Sequence, residues 1–376
     1  MRIKSIDLFP IVMPLKAVLT LPRGASRTLA EGKQNILVRI TDEDGDIGWG
    51  EAGPSRRWSA ETTQSCYTSI KHYLAPAVMG RDVFDIAGLH GAMNQELAPG
   101  LDPGQPVAKA AIDLAVHDLI CRKMDIPLQS WLGAKRRDRV ELGRLVSAPT
   151  PEKAAEITRE AKAEGYKGFK VKVGHDADLD AEVMTAVVEA ADGGFVWPDA
   201  NQAYSLQQAQ TFLRHIENLG VTLFEQPVSM ADVYATKKLL SCTHITIALD
   251  EAAMGLPFVI DMIRRDAMEG MAIKISKTGG IYYARQMCDL ALNAGMELVG
   301  SGLMDAPIGF AAAVHLYAAY GIETPVDLNG PQHIAEDYLG PPFPMEGQTA
   351  LVPKGPGLGI EVDEDKLAKF ALDLPL

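Results

Sequence analysis

The chain has 376 residues, with 36 Lys plus Arg against 49 Asp plus Glu and a formal net charge of −13. Such a length suits two or three domains around a sizeable core and excludes a mini-domain held together by disulfides or a structural metal. The acidic balance without a basic stripe argues against nucleic acid as a partner, and no apolar run approaches the roughly 20 residues of a membrane span.

The first 15 residues, MRIKSIDLFPIVMPL, alternate apolar and polar positions as a strand does, and they lack the continuous apolar core and small-residue cleavage site of a signal peptide. Residues 16 to 32 are a polar, glycine-containing loop. KQNILVRITDEDGDIGWGEA then predicts a hairpin turning at Asp42-Glu43-Asp44-Gly45. Between residues 59 and 134 the spacing becomes helical, and PVAKAAIDLAVHDLICRKMDI is expected to be one long amphipathic stretch. Cys66, Cys121, Cys242 and Cys288 lie far apart with no CxxC pair, which fits reduced thiols in a cytoplasmic protein.

From about residue 140 short strands alternate with amphipathic helices, the pattern of parallel βα units. The strands expected are VELGRLVSA, YKGFKVKVG, GFVWPDAN, VTLFEQP, ITIALDE, MAIKISKTGG, MELVGSG and TPVDLNG. A doubly wound sheet would normally carry a glycine-rich phosphate turn after its first strand, and VSAPTPEKAA has none, so eight parallel strands close better as a barrel. Beyond residue 330, GPGLGIEVDEDKLAKF predicts a last strand and a short helix returning to the N-terminal part.

Ionisable residues recur at the C-terminal ends of strands that should be apolar, and in a βα barrel that end is the active face. Lys170 and Lys172 come first, followed by Asp199, Glu225, Asp250 and Lys274, with steps from Lys172 of 27, 26, 25 and 24 residues. One βα unit separates each from the next, so the side chains form one ring around the mouth. Three converging carboxylates repel unless a cation sits among them, and an all-oxygen donor set points to Mg²⁺, with Mn²⁺ as the alternative. A lysine made less basic by a neighbouring cation and by burial can act as a general base. Lys170 and Lys172 alternate along one strand and face the same way, so each is expected to depress the other. Lys274 lies across the ring from Lys172. A structural ion-pair network at the rim would use the same residues. Glu251, next to Asp250, is expected to point the other way along the strand and is read as a supporting residue that anchors a lysine such as Lys274 or caps the next helix, and Asn201 as a substrate or supporting donor.

These motifs, Lys170-Val-Lys172, Asp199-Ala-Asn201, Glu225-Gln-Pro227, Asp250-Glu251 and Lys274-Ile-Ser276-Lys-Thr-Gly-Gly280, resemble the enolase superfamily and, within it, the muconate lactonizing enzyme subgroup. The likeness extends to Ile47-Gly48-Trp49-Gly50-Glu51 near the start and Gly355-Pro356-Gly357-Leu358-Gly359 near the end. It implies an α/β fold, a modified TIM barrel of the (β/α)7β type over residues 135–330, under an α+β capping domain over 1–134. Residues 331–376 would return to the cap. It further implies Mg²⁺ held by Asp199, Glu225 and Asp250, Lys172 and Lys274 as the acid/base pair with Lys170 beside them, and a homo-oligomer. A mandelate racemase-type histidine on the seventh strand is missing, since Ser301 stands there.

The chemistry expected is removal of the proton α to a carboxylate through a metal-stabilised enediolate. Bases on opposite faces favour racemisation or epimerisation; the same intermediate serves a hydroxyproline-type dehydratase or a muconate-type cycloisomerase. Selectivity would come from residues 16 to 32, from Arg56, Arg57 and Trp58, and from Ser301, Asp305, Asp327 and Asn329 at the last two strands. In related dipeptide epimerases an Asp-x-Asp on the eighth strand binds the substrate ammonium; Asp327-Leu-Asn329 departs from it, which favours a small amino-acid or imino-acid derivative such as a proline derivative. A Schiff-base aldolase would use Lys172 or Lys274 without needing three carboxylates, and a metal-binding scaffold would not need the lysines.

Overall fold

The computed structural model describes residues 1–374 apart from 19, 22, 23, 26, 27 and 101. The cap begins with an antiparallel sheet in which Ile3–Met13 pairs with Lys33–Asp42, and that strand with Ile47–Ala52. The turn falls where the sequence places it: Asp42 Oδ1 accepts from the backbone of Asp44 and Asp46, and Gly45 takes φ +93°. Within residues 16–32 a two-residue pair, Thr20–Leu21 with Gly24–Ala25, is formed. Closure of that whole loop over a substrate involves positions outside the described residues.

The long cap helix, Pro106–Lys123, departs from the amphipathic expectation, because its residues are buried continuously from Pro106 to Cys121. It is sandwiched between the cap sheet and the barrel. A Cβ on Gly50 would lie 1.8 Å from Ala111 O and one on Gly48 2.2 Å from Ala115 O, so only glycine lets the strand lie flush on the helix. Its buried polar groups are matched one by one: Lys109 donates to Asn94 Oδ1, Leu97 O and Pro103 O. Asp113 accepts from His90 and from the backbone of Ile281, which opens helix Ile281–Asn293 on the barrel. The Glu61 carboxylate accepts from Val107 N (2.8 Å) and Ala108 N (3.1 Å), meeting the free N–H groups of the helix start.

Seven parallel strands follow in sequential order: Gly143–Val146, Gly168–Lys172, Phe195–Asp199, Leu223–Glu225, Thr246–Leu249, Gly270–Ile273 and Glu297–Gly300. The eighth, expected from TPVDLNG, is reduced to parallel bridges, Leu142↔Val326 and Ser301↔Asp327, which join the first and seventh strands and close the barrel. The first expected strand is split, since Arg139–Glu141 pairs outside the barrel with Thr349–Leu351. The sixth ends at Ile273, and ISKT winds into a short helix.

Inside the barrel Trp197, Leu223, Ala248, Ala272 and Val299 pack as a separate apolar cluster. Each lies two residues before Asp199, Glu225, Asp250, Lys274 or Ser301. Side chains two apart share a face, so an apolar layer directly supports the polar one. Past residue 330 the chain returns to the cap, where Val12 N donates to Phe370 O and Arg39 pairs with Glu364 at 2.8 Å. Among the described residues no helix is long and apolar enough to cross a membrane.

Candidate active site

Sheet register brings the charged strand ends together. Asp199 is the pairing partner of both Lys172 and Glu225, and Asp250 stands one residue beyond the fifth strand. Asp199, Glu225 and Asp250 are fully buried. Lys172 Nζ donates to Asp199 Oδ2 (2.6 Å) and Asn201 Oδ1 (2.8 Å). Lys274 Nζ donates to Asp250 Oδ2 (2.5 Å). In a closed ring of eight strands the second and sixth are diametrically opposed, so the two ammoniums face one another across the carboxylates.

Lys170 does not behave as the sequence suggests. It is 1% exposed and gripped by three carboxylates, Asp199 (2.9 Å), Glu225 (2.8 Å) and Asp327 (2.8 Å). Burial pulls its pKa down, but those charges carry it well above the usual lysine value. Three ion pairs thus hold it as a buried cation at the floor of the site. The same ammonium, with Lys172, brings the Asp199 carboxyl down to about 2 against the effect of burial. Burial lifts Glu225 to about 7 against the pull of Lys170, and the negative charges of Asp199 and Asp250 add to the rise. Lys274 would be less basic by burial alone, and Asp250 reverses the direction.

Glu251 faces the site, not away from it. The fifth strand ends at Leu249, and Glu251 Oε1 accepts from Asn201 Nδ2 (3.2 Å) while Oε2 is buried with no partner among the described residues. Three buried oxygen ligands from adjacent strands, whose mutual repulsion is visible at Glu225, with a partnerless carboxylate oxygen beside them, fit a hard divalent cation. Another acidic group, Asp42, Asp44 and Asp46 in the cap turn, already holds the Lys123 ammonium, 2.8 Å from Asp44.

Above the ring lies a pocket lined by Lys170, Lys172, Lys274, Asn201, Asp327 and Asn329 from the barrel, and by Lys33, Ser55 and Trp58 from the cap. The Trp58 ring stands 4.4 Å from Lys274 Nζ. Asp327 Oδ1 accepts from Asn329 Nδ2 (2.9 Å), while its Oδ2 holds Lys170, so both oxygens already have partners within the protein. Ser301 is buried at the barrel seam, outside the pocket lining. Asp305 is also elsewhere: its Oδ2 accepts from Leu303 N, and it borders a second, apolar cavity with Phe310 and Phe343. Arg56 is exposed and paired with Glu31, and Arg57 is exposed.

Two lysines that sequence reasoning passed over take part. Lys277, fully buried, donates to Asp250 O and Oδ1 and to Ala272 O. It stands three residues after Lys274, so the helical spacing was its only signal. Lys33, 2% exposed at the start of the cap strand Lys33–Asp42, reaches the pocket and donates to Gly53 O and Leu303 O.

This fold and site are those of the enolase superfamily. Residues 11–133 match the family described as mandelate racemase / muconate lactonizing enzyme, N-terminal domain, and residues 152–366 match the enolase C-terminal domain-like family. The chain belongs to that family and is an enzyme of its isomerase and lyase classes. It is 28% identical to an N-succinyl-L-Arg/Lys racemase of Bacillus cereus over 99% of this chain and 98% of the relative. The crystal structure of that racemase covers 99% of both chains with a TM-score of 0.92. A chloromuconate cycloisomerase of Pseudomonas putida is also 28% identical, over 98% of this chain and 99% of its own. A dipeptide epimerase of Enterococcus faecalis, crystallised with Mg and the dipeptide L-Leu-L-Tyr, is 27% identical with a TM-score of 0.89 over 96% of this chain and 100% of its own.

Proposed function

We propose that the enzyme removes the proton α to the carboxylate of an amino-acid or proline derivative and returns it from the opposite face, as a racemase or epimerase. The placement of Lys172 and Lys274 on diametrically opposed strands, both lining one pocket, carries this reading. One Nζ accepts the proton while the other donates. Lys172 is aligned by Asp199 and Asn201 and Lys274 by Asp250, so each nitrogen is held at its own side of the substrate.

Asp199, Glu225 and Asp250 would hold Mg²⁺, which when bound supplies positive charge that stabilises the enediolate as the proton leaves. Charge supports this. Five carboxyl groups, Asp199, Glu225, Asp250, Glu251 and Asp327, stand against the amino groups of Lys170, Lys172, Lys274 and Lys277. One of those lysines must be neutral to take a proton, so the side chains alone carry an excess of negative charge that a divalent cation would offset. The Trp58 ring and the loop around Leu303 line the same pocket and would shield a bound substrate from water.

Proton NMR in D₂O with Mg²⁺, over pools of N-acyl amino acids, dipeptides, proline betaines and hydroxyprolines, tests the proposal. Loss of an α-proton signal that needs both lysines is expected. A new vinylic or cyclic product that needs only one lysine would move the enzyme to the lyase side of its family.

A further inference from the structure

We propose that Lys33 is a positioning residue, a latch from the cap that ties together the two loops roofing the pocket and so keeps the Trp58 indole over Lys274. A lysine at 2% exposure needs partners that repay its lost hydration. Lys33 Nζ donates to Gly53 O at 3.3 Å and to Leu303 O at 3.1 Å. Gly53 follows the cap strand Ile47–Ala52 and leads through Pro54 and Ser55 to Trp58. Leu303 belongs to the loop after the seventh barrel strand, whose Gly302, Leu303 and Met304 line the same pocket. One ammonium therefore joins a cap loop to a barrel loop across the roof.

The surroundings favour a latch over an anion-binding role. The Lys33 ammonium acts on the Asp305 and Glu51 carboxyls, opposing the upward push of burial on both. Its charge therefore has acidic neighbours inside the protein. Glu51 fastens the far end of the same barrel loop independently, accepting from Ala306 N (2.8 Å) and Gly309 N (3.1 Å). In the middle of that loop, Leu303 N is held within the loop by Asp305 Oδ2 (3.1 Å), and Leu303 O is tied to the cap by Lys33. On the other side, Trp58 Nε1 is buried without a hydrogen-bond partner among the described residues, so the indole is located by its loop and by packing over Lys274, not by a polar anchor of its own.

The test follows Trp58 emission, taken as the difference between each protein and the same protein carrying Trp58→Phe, under acrylamide quenching, alongside α-proton exchange kinetics. In Lys33→Met the Trp58 component is expected to become about three-fold more quenchable, with KM raised about ten-fold and kcat lowered by less than about three-fold. Lys33→Arg, which restores a cationic donor, should recover part of both changes. A merely structural role would lower the melting temperature and leave the Trp58 component unmoved. Unchanged quenching in folded Lys33→Met overturns the latch, and Lys33→Gln decides in the same way if the Met variant does not fold. The kinetic arm rests on the function proposed above and the fluorescence arm does not. A wild-type enzyme that exchanges no α-proton would sink that function while the quenching still judges the latch.

Discussion

The barrel mouth has two unlike halves. From the second to the sixth strand, ionisable side chains stand at or just past the strand ends, above the apolar layer of Trp197, Leu223, Ala248 and Ala272. At the seventh and eighth strands and under the cap, the lining groups Leu303, Met304, Asn329, Ser55 and Trp58 ride on loops, and only bridges represent the eighth strand. Sheet register places the first set, and particular contacts such as those of Lys33 place the second. Under the proposed function, this difference would place proton transfer in the half set by sheet register, taken as the rigid one, and substrate selection in the loop-borne half, taken as the adjustable one.

The sharpest way to break that division is to empty the rigid half. Chelation with EDTA is expected to abolish α-proton exchange, with Mg²⁺ restoring it, and a calorimetric titration should show one Mg²⁺ site lost in Asp250→Asn. Lys172→Ala and Lys274→Ala should each lower kcat by on the order of 10²–10⁴-fold with little change in KM. Lys277→Met leaves the ring residues in place and removes one of the two ammoniums that hold Asp250, together with its bond to Ala272 O; weaker Mg²⁺ binding by roughly 10- to 100-fold is expected, and unchanged affinity would show that Asp250 needs no such support.

Changes in the adjustable half should look different. Trp58→Ala is expected to raise KM about ten-fold while kcat stays within about three-fold, and a kcat collapse equal to that of a lysine variant would erase the distinction between the halves. Smallest for activity is His315 on helix Pro307–Tyr320, which lies away from the pocket, accepting from Gln129 N and facing Leu358 O. Burial holds its pKa down to about 4, against 6.5 for the free side chain. The unfolded chain therefore binds the proton first, and stability falls as pH drops from 6.5 towards 4. Over that window the loss should reach about 3 kcal/mol. Urea unfolding of wild type and His315→Gln at pH 7 and 4.5 checks the sign: the variant should lose less on acidification.

The same division explains how far the amino-acid sequence could be read. Lys172, Asp199, Glu225, Asp250 and Lys274 recur at the period of one βα unit, and a closed parallel sheet converts that period into a ring. Lys170 shares the register, but its role depends on three carboxylates, one of them Asp327 from 157 residues away, so its neighbours in sequence misstate its chemistry. Asp305 sits only four residues beyond Ser301, yet its loop, with Met304 at φ +59°, turns the carboxylate towards Leu303 N and away from the pocket. Lys33 and Lys277 fall outside the βα period; apart from the three-residue step from Lys274 to Lys277, these buried ammoniums become recognisable once the carbonyls around them are placed. The long cap helix was misjudged for a related reason, since burial on both sides by two domains leaves no polar stripe to read.

The barrel's seam and its charge balance meet at Asp327. The bridge that joins the seventh and eighth strands is made by the backbone of Asp327 with Ser301, and the side chain of Asp327 is one of the three counterions of Lys170. Lys170 is tied to Asp199 and Glu225 through contacts at most 55 residues apart, while its bond to Asp327 spans 157 residues and exists only where the ends of the sheet meet. The seam is therefore fastened from the inside by an ion pair as well as along the backbone. A contact of such long sequence separation is expected to form late in folding, so Asp327→Asn should show chiefly as faster unfolding, with the folding rate little changed.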